Sequence, residues 1–284
     1  MKQRIVITGA GGLLGTVLPG QARQQGYHVA ALTSAQWDIT DPAAAERVVR
    51  AGDVVINCAA YTKVDAAESE PGRAHEVNAI APGHVARACA AVGAGLVHVS
   101  TDYVFGGDRR EPYEIDDETG PLSVYGRTKL VGEHAVLEAL PSAHVVRTAW
   151  VYRGAVGGTD FVAVMRRLAD GDGAVDVVAD QVGTPTYVGD LAAALLQVVG
   201  GKVAPGVLHA ANGGEASRFE QARAVFEIVG ADPERVRPVG TDRHPRPAPR
   251  PAYTALSAVR SAQAGLTPLR PWREALTSAL NEAP

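Results

Sequence analysis

Cysteine and lysine are scarce in this sequence, which has two cysteines and four lysines among 284 residues. Cys58 and Cys89 both lie in apolar stretches, and this favours buried thiols over a disulfide or a thiolate metal site. The eight histidines are scattered without the spacing of metal ligands. We therefore predict no metal site.

Long apolar runs and an excess of positive charge are also missing. No apolar stretch approaches the roughly 20 residues of a membrane span, and the four residues before Ile5 are too few to begin a secretion signal. A net charge of -4 and a pI near 6.1 leave no basic surface for nucleic acid or an anionic membrane. We expect a cytoplasmic protein without nucleic-acid or membrane partners.

The first 32 residues do carry a strong pattern, which is strand, glycine turn, helix and strand. Gly9, Gly12 and Gly15 form a G-x-x-G-x-x-G series between the first strand and the helix that runs to about Gln25. A turn of this kind lets backbone N–H groups and a helix N-terminus approach a pyrophosphate. From the glycine content alone, about one third of an occurrence of this spacing is expected by chance in a chain of this length. The prediction of a dinucleotide site therefore depends on the βαβ context. The alternative is a purely structural turn.

The end of the second strand bears on the choice of nicotinamide cofactor. An acid there normally binds the ribose 2′-hydroxyl of NAD, but this chain has Thr33 and Ser34. No carboxylate repels a 2′-phosphate and no arginine binds one, so the sequence permits NADPH and leaves NADH open. Asp38 and Ile39 come next in the chain. Either both residues contact the adenine, or Asp38 only caps a turn.

Strands and helices continue to alternate up to residue 150. Strands are predicted over 53–61, 95–101 and 143–150, with helices from Ala79 to Val92 and up to Leu137. This order predicts an α/β fold with a Rossmann-type doubly wound parallel sheet. The pattern then changes, which predicts a smaller C-terminal α/β substrate domain. The predicted division gives residues 1–150 and 183–216 to the dinucleotide-binding domain, and residues 151–182 and 217–284 to the substrate domain. The proline-rich stretch 238–251 is an extended linker, a polyproline II ligand or, as its position inside the small domain favours, a loop lining the cleft.

Tyr125 and Lys129 form the only Tyr-x-x-x-Lys pair in the sequence. On a helix they face the same side, and an ammonium beside a phenol favours the phenolate, so the pair is typical of an acid and a group that lowers its pKa. Composition predicts roughly 0.1 such pairs by chance, which disfavours the alternative of a surface Tyr and Lys. Thr101 ends a predicted strand, where open α/β sheets bind ligands.

These motifs resemble the extended short-chain dehydrogenase/reductase superfamily. The superfamily signatures are the glycine turn, the stretches 57–61 and 100–105, and Tyr125 to Lys129. The stretches 61–69, 147–152 and 180–186, with Arg250-Pro251, resemble more narrowly the dTDP-4-dehydrorhamnose reductases. The similarity extends over almost the entire chain.

The resemblance implies an NADPH-dependent reduction of the C4 ketone of dTDP-4-dehydro-6-deoxy-L-mannose to dTDP-L-rhamnose. Tyr125 would protonate the carbonyl oxygen, Lys129 would hold the nicotinamide ribose and lower the Tyr125 pKa, and Thr101 would bind the same carbonyl. The implied cofactor contacts are Gly9, Gly12, Leu13, Leu14, Gly15, Asp38, Ile39, Ala60, Tyr61, Thr62, Val99, Tyr125 and Lys129. The implied substrate contacts are Thr101, Asp102, Tyr103, Trp150 and Arg250.

Two other functions stay open at this point. One is a different nucleotide-sugar epimerase, dehydratase or reductase on the same scaffold, although Asp102-Tyr103 follow Thr101 where a dehydratase would have an Asp-Glu pair. The other is a non-catalytic, nucleotide-binding regulatory subunit, which an intact Thr101, Tyr125 and Lys129 set disfavours. The resemblance also leaves a homodimer open. The stretch 16–18 offers no carboxylate for the metal that bridges some related dimers.

Overall fold

A parallel six-stranded sheet forms the centre of the computed structural model, which describes residues 2–281. The strands are, in chain order, β1 Arg4–Thr8, β2 His28–Leu32, β3 Val54–Asn57, β4 Gly95–Thr101, β5 His144–Thr148, β6 Val151–Tyr152, β7 Val175–Val178, β8 Val182–Gly183, β9 Thr186–Tyr187, β10 Gly206–His209, β11 Ala216–Ser217 and β12 Val236–Val239. The α-helices are α1 Leu13–Gln24, α2 Pro42–Val48, α3 Val64–Ser69, α4 Pro71–His75, α5 Ala81–Val92, α6 Val124–Ala139, α7 Phe161–Ala169, α8 Val188–Val199, α9 Arg218–Ile228, α10 Val259–Gln263 and α11 Trp272–Asn281.

The order of strands in the large sheet is β10-β5-β4-β3-β1-β2. The chain moves outward from β1 to β2 and then crosses to β3 on the other side of β1, so the strand order reverses between β1 and β3. In open α/β sheets this reversal leaves a crevice at the carboxyl ends of the strands. The predicted doubly wound parallel sheet is therefore confirmed.

Alternating strand residues fill two hydrophobic cores, one on each face of the sheet. Ile5 and Ile7 of β1 pack in a core with α1 and α8, whereas Val6 between them packs in a second core with α2, α5 and α6. Successive side chains of a strand point to opposite faces, and a sheet covered on both sides needs apolar residues at every position. This explains the continuous apolar runs in the sequence.

The C-terminal part of the chain adds three small two-stranded sheets. β7 pairs with β12 in parallel, α9 packs against both strands, and α7 packs against α9. β8 pairs with β11, and β6 pairs with β9. The β6–β9 pairing joins residues of the two predicted domains, and β8 and β11 each lie across a predicted domain limit. The ends of the predicted ranges, residue 1 and residues 282–284, lie outside the described residues. The division into domains stays a prediction.

Most predicted elements lie within a few residues of the observed ones. The predicted helix 79–92 differs because a π-helical turn, Glu76–Ile80, runs directly into α5. The proline-rich stretch 238–251, expected along the cleft, instead carries a 3₁₀ turn and places Arg246 and Arg250 against Asp65. Among residues 2–281, no helix combines the length and the apolar character that crossing a membrane requires.

Candidate active site

A cleft of about 810 Å³ runs along the carboxyl ends of the central strands. It lies at the strand-order reversal, where the topology predicts a ligand site. Sixteen of the residues named from the sequence line it: Gly9, Gly12, Leu13, Leu14, Gly15, Asp38, Ile39, Ala60, Tyr61, Thr62, Val99, Thr101, Asp102, Tyr125, Lys129 and Trp150. Tyr103 and Arg250 are absent from this lining.

The glycine turn between β1 and α1 packs too closely against neighbouring backbone to accept a side chain at Gly9 or Gly15. Gly9 has φ +66°, and a Cβ there would lie 2.7 Å from the Ala59 backbone nitrogen. A Cβ on Gly15 would lie 2.2 Å from the Gly9 carbonyl oxygen. No side chain caps the start of α1, and its first turn holds no acid. The exposed N–H groups and the positive end of the helix dipole therefore suit a pyrophosphate.

The other end of the cleft is lined by Thr33, Ser34, Asp38 and Arg73. Asp38 accepts hydrogen bonds from the backbone nitrogen and the hydroxyl of Thr40, at 3.0 and 2.8 Å, so one of its carboxylate oxygens serves a turn. These bonds, chiefly the backbone one, lower the pKa of Asp38, and the charge of Arg73 acts in the same direction. Arg73 belongs to α4. It was not predicted as a residue of the site, because it lies about 40 residues downstream of Thr33 and no sequence spacing connects the two.

Thr101, Tyr125 and Lys129 meet in the middle of the cleft. Ser123 caps α6 by accepting from the Gly126 backbone nitrogen at 3.1 Å, which places Tyr125 in the first turn and Lys129 one turn later. Thr101 ends β4, and its hydroxyl contacts Asp102 Oδ1 at 3.0 Å. Burial raises the pKa of Tyr125 above its usual range, whereas a hydrogen bond with Thr101 acts in the opposite direction.

The Lys129 ammonium does not point where the sequence suggested. Its Nζ donates to the Val99 carbonyl oxygen at 2.7 Å and lies 3.3 Å from His98 Nε2. Burial lowers the pKa of Lys129 to about 8, and the charge of Glu133 opposes this effect. The expected lowering of the Tyr125 pKa is therefore not present in this geometry, because burial of the phenol dominates and the ammonium is directed at β4.

Asp102 is buried beside Thr101. Burial raises its pKa to about 6, and hydrogen bonds from the Thr254 and Thr101 hydroxyls and the charge of Arg218 act against that rise. The Thr254 hydroxyl donates to Asp102 Oδ2 at 2.6 Å. This links the end of β4 to the C-terminal part of the chain.

Trp150 is held in a strained conformation at the edge of the cleft. Its φ is +47°, which is a rare backbone state for a bulky side chain, so the surrounding contacts must maintain it. The indole packs on Gly183, where a Cβ would lie 2.6 Å from Trp150 Cε2. The Arg218 guanidinium carbon lies 3.6 Å from the ring centroid, and burial lowers the pKa of Arg218 to about 10.

Tyr103 lies beside Tyr125 and Arg250 lies beside Tyr103, although neither Tyr103 nor Arg250 lines the cleft. The Tyr103 ring meets the Tyr125 ring edge-on, with centroids 5.9 Å apart. The Arg250 guanidinium carbon is 5.9 Å from the Tyr103 centroid, and Arg250 Nη1 is paired with Asp65 Oδ1 at 3.0 Å. Their assignment to the substrate site stays a prediction.

Cys58, another residue that lines the cleft, is a free thiol, as is Cys89. Burial raises the pKa of both thiols to about 12, so they stay protonated at neutral pH. Within residues 2–281, no three His, Cys, Asp or Glu side chains gather as they would around a metal ion.

Comparison with known proteins shows similarity along the whole chain. The profile of the family described as RmlD substrate binding domain matches residues 2–284. A dTDP-4-dehydrorhamnose reductase of Mycolicibacterium smegmatis is 72% identical over 281 residues, 99% of this chain and 86% of that protein. One from Mycobacterium tuberculosis is 64% identical over 283 residues, covering 98% and 93%. The crystal structure of dTDP-4-dehydrorhamnose reductase from Bacillus anthracis in complex with NADP has a TM-score of 0.93 at 37% identity, with 100% of both chains covered.

Proposed function

The chain belongs to the RmlD substrate binding domain family, and on that basis we propose that it reduces the C4 ketone of dTDP-4-dehydrorhamnose with NADPH to give dTDP-L-rhamnose. It is an NADPH-dependent oxidoreductase with an extended short-chain dehydrogenase/reductase fold. One observation carries this conclusion. This chain is 72% identical to a named reductase over 281 residues, and its fold brings Thr101, Tyr125 and Lys129 into the same cleft as the glycine turn.

The cleft fits a dinucleotide cofactor. The uncapped N-terminus of α1, which lines the cleft, suits the pyrophosphate, whereas Asp38 and Ile39 line the distal end for the adenosine. When bound, NADPH supplies the hydride for C4. Arg73 adds a positive charge beside Thr33 and Ser34, the position that a 2′-phosphate needs.

Tyr125 serves as the proton donor in this proposal. Because burial raises its pKa, the phenol is protonated at neutral pH and holds a proton for the carbonyl oxygen. Thr101, whose hydroxyl lies at the end of β4, is suited to hold that oxygen in place. Lys129 lines the cleft one helical turn from Tyr125, and in this proposal its ammonium turns from the Val99 carbonyl oxygen to the ribose when the cofactor binds.

The sugar end of the substrate is proposed to lie against Trp150, which lines the cleft. Arg218 holds the indole from the side of α9, and Asp102 lies beside Thr101. Tyr103 and Arg250 do not line the cleft, and we propose that they support the substrate site through the contact of Tyr103 with Tyr125. The homodimer and the cytoplasmic location stay predictions from the sequence.

Turnover of the proposed substrate tests this function directly. Purified protein is mixed with NADPH and dTDP-4-keto-6-deoxy-L-mannose, while the loss of reduced nicotinamide absorbance and the formation of dTDP-L-rhamnose are followed. We expect stoichiometric loss and product formation. Binding of NADPH without turnover of this or any related 4-keto sugar would instead support a non-catalytic subunit.

Replacing Tyr125 by Phe tests the proton donor. The ring stays but the acidic proton is lost, so we expect turnover to fall by roughly 10²- to 10⁴-fold with little change in NADPH affinity. Tyr27→Phe is the matched control, because Tyr27 precedes β2 at the amino end of the sheet, opposite the cleft. Near-full activity of Tyr125→Phe would place the proton donor elsewhere.

A further inference from the structure

The short helix α3 follows the cleft residues Tyr61 and Thr62 and carries two acidic side chains that face other elements. These are Asp65 and Glu68, three residues apart in the sequence. Residues at this spacing are neighbours on a helix surface, so both carboxylates extend from adjacent parts of α3. Neither of them has a role in the proposed reaction.

The Glu68 carboxylate binds the first N–H group of α6. Its Oε1 accepts from the Val124 backbone nitrogen at 2.8 Å. The first N–H groups of a helix have no acceptor within the helix, and a carboxylate satisfies one of them with a short, charge-assisted bond. Ser123 Oγ accepts from the Gly126 nitrogen at 3.1 Å. The residues on both sides of Tyr125 are therefore held by side chains, one of which comes from α3.

A close backbone contact holds the same turn from another direction. A Cβ at Gly126 would lie 2.2 Å from the Tyr103 carbonyl oxygen. The start of α6 therefore packs directly against the 3₁₀ turn Asp102–Val104, which follows Thr101 at the end of β4. Loss of the Glu68 carboxylate would keep this contact but remove the support from α3.

Asp65 anchors α3 to the C-terminal part of the chain. Its carboxylate pairs with Arg250 Nη1 at 3.0 Å and with Arg246 Nη1 at 3.7 Å, and it accepts from the Ala248 backbone nitrogen at 3.3 Å. A helix of six residues is too short to be stable alone, so contacts of this kind are needed to fix its position. Glu68 thus extends from a helix that is itself anchored.

We propose that Glu68 is a positioning residue for Tyr125, which acts through its hydrogen bond with the Val124 N–H. Its effect on catalysis rests on the proposed function, in which the Tyr125 hydroxyl gives its proton to the carbonyl oxygen. Proton transfer requires hydrogen-bond distance between the two oxygens, and a displacement of about 1 Å can slow a reaction roughly 10²-fold. Glu68 is not among the residues that line the cleft, so it acts only through α6.

Two substitutions separate the reach of the Glu68 side chain from its charge. Glu68→Gln keeps an oxygen acceptor at the same distance without the charge, whereas Glu68→Asp keeps the charge on a side chain that is one CH₂ shorter. We expect kcat to fall by roughly 10- to 100-fold in Glu68→Asp and to stay within about 3-fold of the wild type in Glu68→Gln. The Kd for NADPH, measured by fluorescence titration, should change less than about 2-fold in both.

The same two substitutions at Glu138 are the matched control. Glu138 is an exposed glutamate near the end of α6, far along the helix from Tyr125. Glu138→Gln and Glu138→Asp should both keep the kcat of the wild type. A fall in kcat of Glu138→Asp equal to that of Glu68→Asp would contradict the proposal.

Amide hydrogen exchange, followed by NMR, tests the contact without substrate or cofactor. In Glu68→Asp the Val124 N–H loses its acceptor, so we expect its exchange to become roughly 10-fold faster or more. Exchange at Val124 should stay near the wild-type rate in Glu68→Gln and in Glu138→Asp. The amide of Val6, in the central strand β1, reports the intact fold and should be unchanged in all variants.

Two results would overturn the proposal. If Glu68→Gln were as slow as Glu68→Asp, the charge and not the hydrogen bond would matter. If Val124 exchanged faster in Glu68→Asp while kcat stayed at the wild-type value, Glu68 would cap α6 without positioning Tyr125. Because hydrogen exchange is measured without substrate, the contact can fail this test while the proposed reductase activity stands, and the reverse also holds.

Discussion

At the level of single residues, Arg73 supplies a positive charge at the proposed adenosine end of the cleft. It lines the cleft with Thr33 and Ser34, and its guanidinium pairs with Glu76 at 2.7 Å while half of the side chain stays exposed. Neither Thr33 nor Ser34 carries a charge. Discrimination between NADPH and NADH is therefore expected to depend on a residue from a different element.

Replacing Arg73 by Met should raise the KM for NADPH by roughly 3- to 10-fold and leave the KM for NADH nearly unchanged, because the loss of an exposed charge–phosphate contact costs about 1 kcal/mol. Steady-state kinetics with each cofactor measure this. Arg47→Met is the control, since Arg47 is an exposed arginine of α2 that pairs with Asp41 outside the cleft lining. Equal losses with both cofactors would mean that Arg73 only supports the local fold.

At the level of secondary structure elements, the start of α9 positions Trp150. Ser217 and Glu220 form a capping box that begins the helix at Arg218. The cap directs the guanidinium onto the indole, 3.6 Å from its centroid, and this contact helps to maintain the strained backbone of Trp150.

Arg218→Gln should therefore raise the KM for the nucleotide sugar by roughly 10-fold or more, because a buried cation–π contact is worth about 2 kcal/mol. The affinity for NADPH, measured by fluorescence titration, should change little. Arg223→Gln in the same helix removes an arginine that pairs with the exposed Glu234, and it should behave like the wild type. Loss of cofactor affinity in Arg218→Gln would show a wider disturbance of the cleft.

Helix α6, which carries Tyr125 and Lys129, depends on a close contact at Gly132. A Cβ at this position would lie 2.0 Å from the Asn78 carbonyl oxygen in the π-helical turn. Gly132→Ala should destabilise the protein by about 1–3 kcal/mol, measured by urea denaturation. Gly20→Ala in α1 is the control: nothing lies within 4 Å of its Cβ, so it should stabilise by about 0.5–1 kcal/mol. Equal stability of the two variants would contradict the contact.

At the level of the whole molecule, two buried histidines make stability depend on pH. Burial lowers the pKa of His209 to about 3 and keeps that of His98 well below its usual range. In the unfolded chain both rings protonate near pH 6.5. The unfolded state therefore binds more protons below about pH 6.5, so the free energy of unfolding is highest above that pH and falls as the pH drops towards 3.

Urea denaturation at pH 7 and pH 4.5 measures this loss in wild type and in His209→Gln. A single buried histidine accounts for roughly 2–3 kcal/mol over this interval, at about 1.4 kcal/mol per pH unit below 6.5. We expect the variant to lose less stability than the wild type by about that amount. Carboxylates contribute equally to both proteins and cancel in the comparison. An identical loss in the two proteins would mean that His209 is protonated in the folded state.

Features that depend on neighbouring residues in the chain were predictable. Apolar periodicity identified β1, α1 and β4, the glycine spacing identified the turn at Gly9, and the four-residue interval placed Tyr125 and Lys129 on one helix. Each of these depends on local geometry, because helical and strand periods fix which side chains share a face. The class of the sheet, doubly wound and parallel, followed from the alternation of strands and helices.

The tertiary structure decided which distant groups meet, and thereby the electrostatics of the site. Arg73, Arg218 and His98 come from three separate elements, and no spacing in the sequence connects them to the cleft. Lys129 was expected to act on Tyr125, but its ammonium is directed at Val99 and His98. The pKa of a group depends on its burial and on every charge and hydrogen bond around it, and these exist only after segments far apart in the chain have packed together.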